Sequence, residues 1–255
     1  MKYEMTVQQQ QEMEILPDVA PDTLAENYFI DNGAELSQVV CTEKLLLAIP
    51  IDCSYSMNGY IPNIVDGIGL VSDVILSNQL PKYMIEICII KFGETVEVVR
   101  PFTPVENFAM PELSDLRANG STPMGEALKV THQLFTERLT QLNQEGISSK
   151  RGFVMMLTDG QATDKNSEEW IDGVNVMSDA IANKYLEFIA FGLGNNVDYS
   201  GLSQITGARL SAIDEQKLHE VFSWLYESVS LMAQSRPGES FSAPDSSGFT
   251  RPFNT

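Results

Sequence analysis

The feature that most constrains this chain is its alternation of continuous apolar runs with longer segments in which apolar residues are spaced out. Leu45-Leu46-Leu47-Ala48-Ile49-Pro50-Ile51 is apolar at every position. A strand with one wet face alternates in polarity, whereas an unbroken run suits a strand covered on both faces. Further strands are expected over Ile85–Phe92, Gly152–Thr158 and Leu186–Gly192. Helices are expected over 61–80, from Thr122 to about Asn143, and over 168–182. Thr122 reads as the N-cap of the second of these and Pro123 as its first helical residue. The valine-rich stretch Thr95–Arg100 follows Gly93-Glu94, which is short enough for a hairpin turn, so an antiparallel edge strand is expected there. A short helix near 199–206, a strand at 209–213 and a last helix over 215–232 complete the series. Alternation of this kind predicts a doubly wound α/β domain with helices on both faces of a mostly parallel sheet, a three-layer sandwich.

The flanks read differently. Residues 1–41 contain Gln8-Gln9-Gln10-Gln11, Pro17 and Pro21 among polar and acidic residues, and are expected to form an N-terminal arm to a domain at 42–233. Residues 234–255, rich in serine, proline and glycine, are expected to be a flexible tail or a segment that docks. The formal charge of -19 argues against nucleic acid, whose binding requires basic side chains, and against an anionic membrane surface. Cys41, Cys53 and Cys88 are odd in number and form no C-x-x-C pair, so free thiols are expected. The beginning of the chain lacks the apolar stretch of a signal peptide, and no run is long enough to span a bilayer; the expected location is cytoplasmic.

Open α/β sheets bind ligands at the carboxyl ends of their strands. Asp52, Ser54 and Ser56 follow the first apolar run at a spacing of two. Asp159 follows the run that ends at Thr158, and Thr122 stands ahead of a helix. Each piece alone is ordinary turn or cap chemistry. Together they make an oxygen-only set of two carboxylates and three hydroxyls, which suits a hard cation such as Mg²⁺ better than Zn²⁺ or Cu²⁺.

The pattern D-x-S-x-S, then a threonine ahead of a helix, then an aspartate after a later strand resembles the von Willebrand factor A domain with a metal-ion-dependent adhesion site. Gly120-Ser121-Thr122-Pro123-Met124-Gly125-Glu126-Ala127-Leu128 and Leu157-Thr158-Asp159-Gly160-Gln161-Ala162-Thr163-Asp164 are similar to strings in bacterial single-domain proteins of the TerY and YegL type. Those proteins are associated with tellurite resistance and stress response. The resemblance implies sheet order 3-2-1-4-5-6 with one antiparallel edge strand. It also implies Mg²⁺ (with Mn²⁺ or Ca²⁺ as substitutes) at Asp52, Ser54, Ser56, Thr122 and Asp159, and a partner protein whose Asp or Glu completes the coordination. Self-association through the arm or tail, with Glu239 or Asp245 as an internal ligand, is compatible with it.

Tyr55 departs from the family pattern, which has glycine there. Its ring is free to lie over the surface, to line a ligand groove, or to crowd the site. Asp164 could approach the site, cap the helix near Ser167 or face water; the latter two are preferred. His132 and His219 fall inside helices, away from strand ends, and there is no P-loop string. The expectation is therefore a binding module and not an enzyme. A metal-stabilised structural subunit and a Mg²⁺-dependent phosphohydrolase using Asp52 stand as alternatives.

Overall fold

The computed structural model describes residues 43–78, 81–194, 197–235 and 243–251. The expected arm, 1–41, and Cys41 lie outside the described residues.

The elements follow the apolar pattern closely. Strand β1 is Glu43–Asp52, followed by a 3-10 turn at Tyr55–Gly59 and helix α1 at Ile61–Ser77. A one-turn helix α2, Pro81–Met84, leads directly into β2, Ile85–Phe92, and then β3, Val96–Pro104. Helix α3 is Met124–Gln144, β4 is the two-residue Ser148–Ser149, β5 is Gly152–Thr158 and α4 is Glu168–Ala182. Strand β6, Leu186–Leu193, precedes α5, Tyr199–Leu202, and β7, Arg209–Ile213. The last helix, α6, spans Leu218–Gln234, and β8 is Thr250–Arg251. Helix α1 ends earlier than expected because the Asn78 side chain donates to the Val74 carbonyl at 2.9 Å, occupying an acceptor of the last turn. Strand β3 runs past the expected end through two prolines, which an edge strand tolerates because one side of its backbone needs no partner.

The sheet order is β3-β2-β1-β5-β6-β7-β8, with β4 beside the start of β1. The first six of these strands reproduce the expected order, with β3 antiparallel to β2 and the others parallel. Beyond this expected order, the two-residue β8 adds an antiparallel pairing to β7, with Ile213 opposite Thr250. No apolar run announces β8, because two residues on an edge carry too little periodicity to be read.

Period-two geometry divides the core into two layers. Leu45, Leu47, Ile49 and Ile51 of β1 face a cluster with α1 and α6. Leu46 and Ala48 face a second cluster with α3 and α4. Every residue of β5 is buried, as its unbroken apolar run requires. The described part of the tail, 243–251, lies against the first layer. Phe249 is 9% exposed beside Trp224 and Phe191, and the Trp224 indole donates to the Pro244 carbonyl at 3.0 Å.

Candidate functional site

Central strands β1 and β5 end side by side, with Ile51 opposite Leu157. Asp52 closes β1 and is wholly buried. Its Oδ1 accepts the Ser54 backbone N–H at 2.8 Å, which turns the chain sharply, and its Oδ2 accepts the Thr158 hydroxyl at 2.6 Å. Cys53 points into the core, and its amide continues the ladder to the Phe92 carbonyl at 2.7 Å. Burial pushes the Cys53 and Cys88 thiols up to about 12, so both stay protonated and inert.

The hydroxyls then fall into place. Ser54 Oγ lies 3.2 Å from Ser56 Oγ, and Ser56 Oγ donates to Asp159 Oδ1 at 2.9 Å. Thr122 enters from the other side: its Oγ1 and Asp52 Oδ2 both lie 3.5 Å from the point where a Cβ on Gly160 would sit. All five candidate residues therefore gather around the ends of β1 and β5. Burial raises the Asp52 carboxyl to about 6, against the hydrogen bonds from Thr158 and Ser54 that favour its charge; nearby Asp159 pushes the same way as burial. Asp159 is also held above its ordinary range by burial, with the Ser56 bond opposing. Among the described residues there is no group of three or more His, Cys, Asp and Glu side chains placed to hold a metal. The donor set here is instead two carboxylates with hydroxyls.

The Thr122 loop departs from expectation in a way that matters. Pro123, not Thr122, is the N-cap, and α3 begins at Met124. Thr122 sits one residue earlier and spends no side-chain bond on the helix, so its hydroxyl is turned to the site. The free N–H of Glu126 in the first turn is taken by Asp164 Oδ2 at 3.2 Å. Asp164 thus caps α3, while Ser167 caps α4 by accepting from Trp170 N at 3.1 Å. This corrects the expected role of Asp164. The loop before Thr122 is stitched to its neighbours: Asn119 N donates to Cys53 O at 2.6 Å, and Glu94 N donates to Asn119 O at 3.0 Å. Gly120 adopts a φ of 74°, and a Cβ there would lie 2.6 Å from Glu94 Cα, so glycine is required on both counts.

Tyr55 is 71% exposed, and the Ser54 and Ser56 hydroxyl oxygens on either side of it lie 3.2 Å apart. His132 and His219 lie on α3 and α6, as expected. Asp245 bonds to the Ser247 amide and hydroxyl at 3.0 and 2.8 Å, within its own turn. Glu239 lies outside the described residues.

With the strand order and the converging oxygens in place, residues 47–224 match the von Willebrand factor type A domain. The chain belongs to that family. Solved structures similar to this von Willebrand factor A domain include a von Willebrand factor type A protein from Catenulispora acidiphila, at 17% identity and TM-score 0.51, covering 73% of this chain and 42% of that one. Proximal thread matrix protein 1 from the mussel byssus, with a zinc-occupied MIDAS motif, matches at 15% identity and TM-score 0.50 over 73% of this chain and 48% of its own. The pilus adhesin SpaC from Lactobacillus rhamnosus GG, in an open conformation, matches at 12% identity and TM-score 0.54 over 72% and 30%. The chain spans less than half the length of each, and at these identities the likeness establishes the fold. No curated protein matches the chain in sequence.

Proposed function

We propose that this domain is a Mg²⁺-dependent protein-binding module, with Asp52, Ser54, Ser56, Thr122 and Asp159 holding the cation. The observation that carries this is a wholly buried carboxylate, Asp52, gathered with a second one, Asp159, and with hydroxyls, while neither has an ion pair to a lysine or arginine among the described residues. Two partly desolvated anions side by side are unfavourable unless protonated or joined by a cation. Hydroxyl and carboxylate oxygens fit a hard divalent ion: Mg²⁺, with Mn²⁺ or Ca²⁺ as substitutes. Once bound, the ion supplies an electrophilic position for a partner's Asp or Glu. The residues of this chain supply the rest: Asp52 fixes the Ser54 turn, Thr158 fixes Asp52, and Tyr55 offers an exposed ring beside the site for contact.

The zinc-occupied motif of the mussel protein and the adhesin identity of SpaC support a metal-binding and adhesive reading of the shared fold. The strings Gly120–Leu128 and Leu157–Asp164 favour a TerY-like adaptor in a cytoplasmic stress-response or tellurite-resistance system. No helix among the described residues is long and apolar enough to cross a membrane. Both histidines, His132 and His219, lie within helices α3 and α6 and not at the ends of β1 and β5, which favours binding over catalysis.

Titration calorimetry with Mg²⁺ tests the metal reading. Wild type binds one ion, and Asp52→Ala binds none. Capture of a partner in Mg²⁺ that is lost both in EDTA and in Asp52→Ala supports the adhesive reading; equal capture in all conditions overturns it.

A further inference from the structure

We infer that Thr163 and Asp164 are positioning residues that lock the Thr122 loop to the Asp159 loop, so that the two halves of the candidate site move as one unit. The inference rests on the metal-site reading for its functional consequence, and on hydrogen bonding alone for the coupling itself. The two residues lie just beyond the strand end that bears Asp159, in the second half of the string Thr158-Asp159-Gly160-Gln161-Ala162-Thr163-Asp164. None of the proposed metal-holding roles uses them.

The contacts are reciprocal and long-range. Thr122 N donates to Thr163 Oγ1 at 3.1 Å, and Thr163 N donates to Thr122 O at 2.9 Å. Thr163 thus holds both backbone groups of the one residue that brings a hydroxyl from outside the β1 and β5 loops. Asp164 Oδ2 then takes the Glu126 N–H at 3.2 Å, fixing the start of α3. Acidic side chains suit that end of a helix because its unpaired N–H groups point toward them. The partners are 41 and 38 residues apart in sequence, so these bonds join separate loops and are not local turns.

The packing below agrees. A Cβ on Gly125 would lie 2.4 Å from Trp170 Cα, and one on Gly173 would lie 2.4 Å from the Gly125 carbonyl oxygen. The N-terminal parts of α3 and α4 therefore touch backbone to backbone. The Thr163–Asp164 segment runs between the Asp159 strand end and α4, and holds the start of α3 from there. Thr122 needs such a clamp because the loop before it turns through Gly120 at positive φ, where the chain is intrinsically permissive. Outer partners of this kind orient metal ligands, and their loss typically weakens metal affinity by about tenfold or more.

The test uses the full chain with Thr163→Val, Thr163→Ser and Asp164→Ala. In metal-free protein, amide hydrogen exchange over residues 120–126 is expected to speed up several-fold in Thr163→Val and Asp164→Ala. Exchange in β1 and β6 should stay at the wild-type rate, and Thr163→Ser should restore protection. Mg²⁺ affinity by calorimetry is expected to fall about tenfold in Thr163→Val and to recover in Thr163→Ser. Unchanged exchange over 120–126 in Thr163→Val overturns the clamp. Faster exchange with unchanged Mg²⁺ affinity overturns its role in the site. Faster exchange in a protein whose wild type binds no Mg²⁺ leaves the clamp standing and removes the metal-site reading instead.

Discussion

The Thr158 hydroxyl stands 2.6 Å from Asp52 Oδ2, so the strand that leads to one carboxylate holds the carboxylate of its neighbour. Both residues are wholly buried. The same hydroxyl oxygen accepts the Gly160 N–H at 3.2 Å, which ties the turn after β5 to the end of β1. Thr158→Val keeps the shape and deletes this bond. A lost hydrogen bond to a charged group costs about 1–3 kcal/mol, and that loss is expected in urea denaturation at pH 7. A variant as stable as wild type would show that water replaces the hydroxyl.

Asp52 also sets a pH dependence. Its folded pKa is raised from 3.8 to about 6 by burial, so the native state holds a proton more tightly than the unfolded chain. Above about pH 6 the ionised carboxylate therefore opposes folding of metal-free protein. That cost is relieved as pH falls from about 6 towards 3.8, and nothing further is gained below the unfolded value. The full shift corresponds to on the order of 3 kcal/mol. Asp52→Asn removes this titration. Wild type is expected to gain stability relative to Asp52→Asn between pH 7.5 and pH 5 in EDTA; a flat difference over that range contradicts the assignment.

The cation should reverse this cost. An ion that binds only the native state stabilises by about 2.7 kcal/mol at one hundred times its Kd. Melting temperature is expected to rise with Mg²⁺, to return on adding EDTA, and to be insensitive to both in Asp52→Asn.

Close approach of α3 and α4 depends on Gly173. Its added methyl would lie 2.4 Å from the Gly125 carbonyl oxygen, and backbone cannot rotate away as a side chain can. Gly173→Ala is expected to cost about 1–3 kcal/mol, the usual range for overpacking. Calorimetric melting measures it.

The described tail should contribute to stability. Phe249 is 9% exposed, with its ring 6.3 Å from Trp224 and 6.2 Å from Phe191. Phe249→Ala is expected to cost about 3 kcal/mol and to increase hydrogen exchange in β7, whose Ala212 and Ile213 pair with β8. Unchanged exchange in β7 would show that the edge is held without the tail.

How much of this was legible in advance follows from the range of the forces involved. The apolar runs alone fix the bounds of β2 and β5, because burial on both faces of a central strand leaves little room for polar positions, and the spaced apolar residues of 168–182 do the same for α4. The same reading placed Asp52, Ser54, Ser56 and Asp159 at strand ends, where a doubly wound sheet opens to ligands. Tertiary structure alone decided the rest. Thr122 looked like a cap, but the cap is Pro123 and the side-chain acceptor for α3 comes from Asp164, a distant residue. Two-residue β8 follows directly on Phe249, which packs in an aromatic cluster with Trp224 and Phe191, a placement that no local pattern around Thr250 and Arg251 announces. Local patterns record which face of an element is buried. They do not record which distant group fills a hydrogen bond, because that partner is chosen only when the loops meet.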